Sequence, residues 1–161
     1  MRAKRVTFIT QAAMIAAIYV VLTMLISAFH LASGAIQFRI SEALTVLPAF
    51  TPAAIPGLFI GCLVSNFISG GLPMDVIFGS LATLLGACGT YLLRKWKWAV
   101  PVPPIHANAL IIPFVLAYVY HIPGGVPYFM LTVGIGQIIS CGILGMIVYN
   151  ILAKYRNIIF K

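Results

Sequence analysis

Acidic side chains are almost absent from this sequence. Its 161 residues include two acids, Glu42 and Asp75, against ten lysines and arginines. Charged residues make up 7 % of the chain and hydrophobic residues 62 %, with a mean hydropathy of +1.10. A soluble domain of this length could not bury so much apolar surface, so the composition favours a protein embedded in lipid. Because an ionisable group beside lipid is costly, each carboxylate is a candidate for a specific role.

Motifs for several kinds of chemistry are missing as well. No GxxxxGK[ST] sequence is present, so the chain has no P-loop to bind ATP, and uphill transport would need an ATPase elsewhere. The cysteines stand singly in separate apolar segments and are expected to be small buried hydrophobes: Cys62, Cys88 and Cys141. The three histidines lie near span ends, where interfacial packing explains them better than metal binding. We therefore expect neither a metal site nor a cofactor.

Positive charge is concentrated at three places. Nine of the ten bases fall within residues 2–5, 94–97 and 154–161, each beside an apolar segment. Lysine and arginine on the cytoplasmic side of a membrane follow this pattern, whereas nucleic-acid binding needs a continuous basic patch. We therefore expect a cell-membrane location, both termini in the cytoplasm and no nucleic-acid partner.

Apolar segments separated by turns predict an all-α integral membrane protein, a single bundle of six transmembrane helices that forms one domain over residues 1–161. The expected spans are about 6–29, 41–50, 53–69, 74–93, 105–120 and 128–153. The second segment is too short for an ordinary transmembrane helix and contains Pro48. We expect it to be tilted, broken or sheltered by protein.

Small residues predict where helices approach each other. Gly57 and Gly61 form a GxxxG pair in the third span. The first span carries two pairs with the same spacing: Ala12 with Ala16, and Ala13 with Ala17. Such faces let helix backbones come close in lipid. Contacts within the bundle explain most of them, and the alanine face of the first span is the best candidate for docking a partner protein.

The remaining polar residues predict a pocket that opens outward at the helix ends. Its walls are expected to be Arg39, Glu42, Asn66 and Asp75. Gln137 lies about mid-span in the sixth segment, on a face of small residues, and is placed to form the floor. Phe38 is placed at a similar depth to supply a flat stacking surface.

Each of these residues also has a purely structural interpretation. Glu42 and Asp75 could be helix N-terminal carboxylates, stabilised by the macrodipole by only about 0.3–1 kcal/mol each. Arg39 could pair with Glu42 three residues on, and Phe38 could pack against lipid or the core. The placement of both acids at outer helix ends favours binding, because the chain has so few ionisable groups to spend near lipid.

One stretch of the chain carries a family resemblance. Residues 36–48 (IQFRISEALTVLP), followed by 54–57 (AIPG) and the segment 75–86, resemble the QueT family, whose members are substrate-binding S components of energy-coupling factor (ECF) transporters. The resemblance covers nearly the whole chain, and residues 12–16 (AAMIA) resemble the AAxxA docking motif of S components. It implies the S-component fold, with Ala12, Ala13 and Ala16 as partner-docking residues.

The resemblance also implies a function. Such proteins capture a scarce nutrient from outside and deliver it inward with a transmembrane coupling protein and two ATPase subunits. The implied cargo is a queuosine precursor, a 7-deazaguanine base in its aminomethyl or nitrile form. One carboxylate can accept two N–H bonds from a guanine-like edge, and a second can pair with an aminomethyl cation.

Roles for the site residues follow from this cargo. Glu42 is expected to bind the base edge, and Asp75 the cation or a second polar edge. Asn66 and Gln137 are expected to orient the ligand through their amides. Arg39 is expected to hold Glu42 or the outer connection in place, because it would repel a cationic ligand. The outer connection, residues 30–40, is expected to close over the ligand as a lid.

Two alternatives remain open at this stage. The first is an S component for a vitamin such as thiamine or riboflavin. The second is an integral-membrane enzyme acting on lipid head groups, with Glu42 and Asp75 as an acid/base or metal pair. The enzyme is disfavoured because the sequence lacks a His-rich or Asp-rich cluster of the kind that binds metal and activates water. We therefore predict a transporter component without enzymatic activity.

Overall fold

The structure, a computed structural model, describes residues 2–28 and 39–156, and all regular secondary structure within them is helical. A short 3₁₀ helix, Ile40–Ala49, follows the first α-helix. The α-helices in chain order are α1 Arg2–Ala28, α2 Ala54–Ile68, α3 Pro73–Leu92, α4 Val102–Tyr118, α5 Val126–Gln137 and α6 Gly145–Lys154. A π-helix, Ile138–Leu144, joins α5 to α6, and a one-turn 3₁₀ helix, Lys97–Ala99, precedes α4. The prediction of an all-helical fold is confirmed.

Length separates the helices into two groups. Four helical stretches are long and apolar enough to cross a bilayer: Arg2–Ala28, Pro73–Leu92, Lys97–Tyr118 and Val126–Lys154. Two shorter apolar helices, Ile40–Ala49 and Ala54–Ile68, fall below that length. The second predicted span is therefore short, as expected, but the third is short as well. The 15 residues of α2 rise only about 22 Å, less than the roughly 30 Å of a hydrocarbon core.

Helix α1 packs against α2 and the 3₁₀ helix through small residues. A Cβ added to Gly57 would lie 2.7 Å from the Ala12 carbonyl oxygen, and one added to Gly61 would lie 3.1 Å from the Ala16 Cα. The GxxxG pair of α2 therefore meets the Ala12–Ala16 pair of α1 at backbone distance, as small-residue faces in membranes do. Ala13 lies on another face of α1 and is exposed.

Helices α3 and α4 approach each other equally closely at one end. A Cβ on Gly86 would lie 2.7 Å from the Pro104 Cα, and one on Gly89 would lie 2.5 Å from the Pro103 Cβ. Further along α4, an apolar cluster joins it to α5: Ile112, Leu116, Phe129 and Val133. These contacts fix α4 between α3 and α5, and Asn108 of α4 is buried in the interior of the bundle.

The outer surface of the described helices is apolar. Large hydrophobic side chains such as Ile9, Val21 and Leu85 are more than half exposed, and they recur along every long helix. A contiguous apolar exterior of this kind suits contact with lipid and would be unfavourable in water. The indoles of Trp96 and Trp98 are also exposed, next to the basic residues of the 94–97 segment, as expected at a membrane–water interface.

Candidate ligand-binding site

Polar side chains are concentrated inside the bundle rather than on its surface. Fully or almost fully buried residues include Thr23, Ser41, Glu42, Thr45, Ser65, Asn66, Asp75, Thr83, Asn108, Gln137 and Ser140. Buried polar groups are unfavourable unless hydrogen-bonded, so their partners define what this interior can do. They fall into two groups around the two acids.

The first group, called here the Glu42 cluster, consists of Tyr19, Glu42 and Asn108. Glu42 lies in the first turn of the 3₁₀ helix and is only 1 % exposed. Its Oε1 accepts a hydrogen bond of 2.6 Å from the Tyr19 hydroxyl on α1, and its Oε2 accepts one of 3.4 Å from the Asn108 Nδ2 on α4. Three helices thus converge on one carboxylate, which can act only as an acceptor toward these two donors.

The sixth predicted span reaches this cluster through its π-helix. The Cys141 thiol donates to the Glu42 carbonyl oxygen at 3.4 Å and to the Gln137 Oε1 at 3.1 Å. Thr45 also donates to the Glu42 carbonyl, at 2.6 Å. Gln137 is buried and, within the described part of the chain, its Nε2 donates to no partner. This amide nitrogen is therefore available to a ligand, and π-helical turns are frequent at functional sites.

One further group in the π-helix is unsatisfied. The Ser140 hydroxyl is fully buried and has no hydrogen-bond partner among the described residues. A buried hydroxyl without a partner lowers the stability of the folded state by about 1–3 kcal/mol. Ser140 therefore makes the π-helix locally unfavourable. Sequence analysis did not single it out.

The second group, called here the Asp75 cluster, consists of Arg39, Asn66, Asp75 and Tyr120. The Arg39 Nη1 donates to the Asn66 Oδ1 at 3.1 Å, and the Tyr120 hydroxyl donates to the Asp75 Oδ2 at 2.9 Å. A Cβ added to Gly79 would lie 2.9 Å from the Asn66 Nδ2 and 3.7 Å from the Asp75 Oδ1. The glycine therefore leaves a gap that both polar side chains border.

Tyr120 lies beyond the end of α4 and holds two elements together. Its hydroxyl accepts a 3.3 Å hydrogen bond from the Leu72 backbone N–H while it donates to Asp75. Burial raises the pKa of this phenol, and the bond to the Asp75 carboxylate raises it further. Tyr120 is therefore a neutral donor throughout the physiological pH range.

The two clusters are connected through the backbone, and a buried thiol borders the Asp75 cluster. The Glu42 backbone N–H donates to the Arg39 carbonyl at 3.1 Å, so one turn of chain links the acid of one cluster to the base of the other. Cys62 is buried, as predicted, and its sulfur also accepts weak hydrogen bonds from the Asn66 Nδ2 at 3.5 Å and the Thr83 Oγ1 at 3.3 Å. The interior is thus one polar region with two centres.

The structure brings most of the predicted site residues into this region. Arg39, Glu42, Asn66, Asp75 and Gln137 all contribute to it, whereas Phe38 and most of the predicted lid lie outside the described residues. The ion pair considered for Arg39 and Glu42 is not formed, because the guanidinium instead donates to Asn66. Among residues 2–28 and 39–156, no group of three His, Cys, Asp or Glu residues could hold a metal ion.

Three residues that donate hydrogen bonds to the two acids were not assigned to the site from the sequence: Tyr19, Asn108 and Tyr120. Tyr19 belongs to the only buried stripe of α1, with Ile15 and Thr23 four residues to either side. That spacing was a usable signal, but an aromatic residue in an apolar run is more often core. The bond from Asn108 to Glu42 depends on helix rotations that no sequence pattern specified.

These features define a class: an α-helical membrane protein with a buried, charged interior region bordered by helices from across the chain. Comparison with known proteins shows which family within this class the chain belongs to. The chain matches the family of QueT transporters over residues 9–154. It is also 41 % identical, over 86 residues, to a protein of Lactococcus lactis subsp. cremoris (strain MG1363) described as "Queuosine precursor transporter QueT". That match covers 53 % of this chain and 50 % of the relative, and no solved structure matches significantly.

The chain therefore belongs to the QueT transporter family. Membership confirms the predicted family, and the description of that family indicates a transporter. A transporter acts on a small molecule in a membrane, in agreement with the apolar exterior of the helices. The family match speaks against the alternative of a lipid-modifying enzyme.

Proposed function

We propose that this chain is the substrate-capture subunit, or S component, of an ATP-driven ECF importer. It binds a queuosine precursor, a 7-deazaguanine base in its aminomethyl or nitrile form, from the outside of the cell membrane. It delivers this base inward together with a transmembrane coupling protein and two ATPase subunits. The name of the Lactococcus relative supports the cargo, and the resemblance of residues 12–16 to a docking motif supports the partners.

One observation carries the proposal: both acids of the chain are buried inside the bundle, each with a side-chain hydrogen-bond donor from a distant part of the sequence. Glu42 is 1 % exposed and Asp75 is 7 % exposed. Macrodipole stabilisation alone would leave such carboxylates at exposed helix ends, where they need no partner. Burial with aligned donors instead prepares acceptors for a ligand rich in N–H groups.

The two acids are assigned different parts of the ligand. Glu42 accepts the N–H groups of the guanine-like edge through lone pairs that Tyr19 and Asn108 leave free. Asp75 pairs with the aminomethyl cation or a second polar edge, since its Oδ1 accepts no hydrogen bond within the described residues. Asn66 and Gln137 orient the base through their amides. Phe38 is assigned to stacking and Arg39 to holding Asn66.

The proposed topology has six crossings in one domain over residues 1–161, with the S-component fold. The basic segments 2–5, 94–97 and 154–161 then all lie in the cytoplasm with both termini. The 3₁₀ helix and α2 are the two short crossings, whose ends are sheltered by the longer helices.

Docking of the coupling protein is assigned to the alanine-rich part of α1. Ala12 and Ala16 lie against α2, which brings the α1 backbone close to that helix. Ala13 is exposed on the outward face, next to Met14. A partner helix would contact this outward face and could approach the α1 backbone most closely at Ala13 and Ala17, which are both exposed.

Thermal stabilisation of the purified protein tests the cargo assignment. A ligand at 100 times its Kd stabilises the folded state by about 2.7 kcal/mol, which raises Tm by several degrees in a chain of this size. We expect both deazaguanine forms to raise Tm, and guanine, thiamine and riboflavin to leave it unchanged. Stabilisation by a vitamin alone would transfer the assignment to a vitamin S component.

A further inference from the structure

We propose that Tyr19 is a positioning residue for Glu42, one that sets the orientation in which this carboxylate receives the ligand. The inference rests on the proposed function of Glu42 as the acceptor for the base edge. It adds α1 to the binding site, although sequence analysis assigned that helix only to partner docking. Tyr19 itself is not assigned a ligand contact.

Helix α1 has a single buried stripe, and Tyr19 is at its centre. Of the 27 residues of α1, only Ile15, Tyr19 and Thr23 are fully buried. Gly61 of α2 leaves space for Tyr19 because it has no side chain: a Cβ there would lie 2.9 Å from the Tyr19 Cβ. The phenol therefore extends past α2 into the interior instead of lying on the surface of the bundle.

The polar atoms of this stripe bond to consecutive residues of the 3₁₀ helix. Tyr19 donates to the Glu42 Oε1 at 2.6 Å, and Thr23 donates to the Ser41 Oγ at 2.9 Å. The same stripe also packs in an apolar cluster with Leu47 and Leu58. Apolar packing holds α1 against its neighbours, and the hydrogen bond from Tyr19 relates the position of α1 to the carboxylate of Glu42.

The only role of the Tyr19 hydroxyl in this arrangement is to donate a hydrogen bond to Glu42. A phenylalanine would fill the same space, and a phenol with no acceptor would be an unsatisfied buried group. With Tyr19 on Oε1 and Asn108 on Oε2, the carboxylate is restrained from opposite sides. Its remaining lone pairs then point in a fixed direction, which favours a ligand that presents adjacent N–H donors.

A double-mutant cycle in ligand affinity separates positioning from packing. The four proteins are the wild type, Tyr19→Phe, Glu42→Gln and the double variant, and the probe is 7-aminomethyl-7-deazaguanine in isothermal titration. Tyr19→Phe should weaken binding about tenfold in the wild-type background and less than about twofold beside Glu42→Gln. A role in packing alone would give the same loss in both backgrounds, and that result would overturn the proposal.

A control and a second readout keep the interpretation unambiguous. Thr10→Val removes a hydroxyl from the exposed face of the same helix, where it bonds only the Val6 carbonyl, and should leave affinity unchanged. Without ligand, the Tm loss caused by Tyr19→Phe should likewise be smaller beside Glu42→Gln, and additive losses would overturn the proposal. Failure of the wild type to bind the base would instead contradict the proposed function, so the two failures are distinguishable.

Discussion

The two buried acids of this protein sit in different settings. Glu42 has a donor on each oxygen, one from α1 and one from α4. Asp75 has a donor on one oxygen only, from Tyr120 beyond the end of α4. Asn108 lies within α4, whereas Tyr120 lies two residues beyond its end.

The comparison shows how one bundle prepares two carboxylates for different tasks. A charge deep among apolar helices is tolerated only when its hydrogen bonds are satisfied, which explains the two donors on Glu42. A carboxylate near the ends of the helices can leave one oxygen without a protein donor, because it lies closer to water and to the connecting loops than a carboxylate in the middle of the bundle does. Glu42 is therefore suited to an oriented, neutral base edge, and Asp75 to a cation that arrives at the end of the bundle.

The largest expected effect comes from removing the charge of Glu42. Glu42→Gln replaces an ionic acceptor by an amide that turns one N–H donor toward the base. We expect both the aminomethyl and nitrile forms to bind about ten- to a hundredfold more weakly, measured by isothermal titration. Unchanged affinity for both forms would remove Glu42 from the site.

Asp75→Asn sharpens the comparison, because its effect should depend on the ligand. The amide oxygen still accepts the bond from Tyr120, but the negative charge is lost. We expect about tenfold weaker binding of the aminomethyl form and less than about twofold change for the neutral nitrile form. Equal losses for the two forms would contradict the assignment of Asp75 to the cation.

Gly79→Ala tests whether the Asp75 cluster depends on the gap beside that glycine. The new methyl group would displace the Asn66 amide, which lies 2.9 Å from the Cβ position, and weaken its bond with Arg39. We expect about fivefold weaker ligand binding without loss of Tm, since alanine favours a helix by up to about 1 kcal/mol over glycine.

Gly134→Ala is the matched control for this substitution. Gly134 lies in α5, and a Cβ there meets no atom within 4 Å. The change should raise Tm slightly and leave ligand affinity as in the wild type. A similar loss of affinity in both variants would mean that Gly79 has no special relation to the site.

Tyr120→Phe should have the smallest effect. It removes the donor to Asp75, and we expect binding of the aminomethyl form to weaken about threefold at neutral pH. Because the folded-state pKa of Tyr120 is raised, its contribution to stability is present at neutral pH and is lost as pH rises through that pKa. The Tm of the wild type should therefore fall more than that of the variant in the alkaline range, measured by parallel melting curves.

The helices of this protein were largely predictable from sequence, and their contacts were not. Proline and glycine marked the starts of α3 and α4 and the basic segment marked the end of α3, so predicted and observed bounds agree within a few residues. The bounds predicted for the third span, 53–69, also agree with the observed α2 within one residue at each end. The π-helix was also unexpected, since no local sequence signal distinguishes it from the α-helices on either side.

The site residues could be predicted because acids and amides are rare in this chain. Two acids and a few amides in an apolar chain were conspicuous, and the described members of that set are buried or partly buried. Tyr19 and Asn108 were missed because their contribution depends on which way each helix faces. Ala12 and Ala13 differ only in that respect as well: one lies against α2 and the other is exposed.

The placement of the aromatic residues in the 94–98 segment has a practical consequence for spectroscopy. Both tryptophans of the sequence, Trp96 and Trp98, are exposed there, and the Lys97 ammonium lies 5.3 Å from the Trp98 ring centroid. Indole fluorescence from this protein thus originates from one short stretch before α4, far along the chain from Asp75 and Tyr120. A shift in the wavelength of maximum emission on adding cargo would report movement of that stretch. An unchanged emission spectrum would be compatible with a ligand bound in the interior.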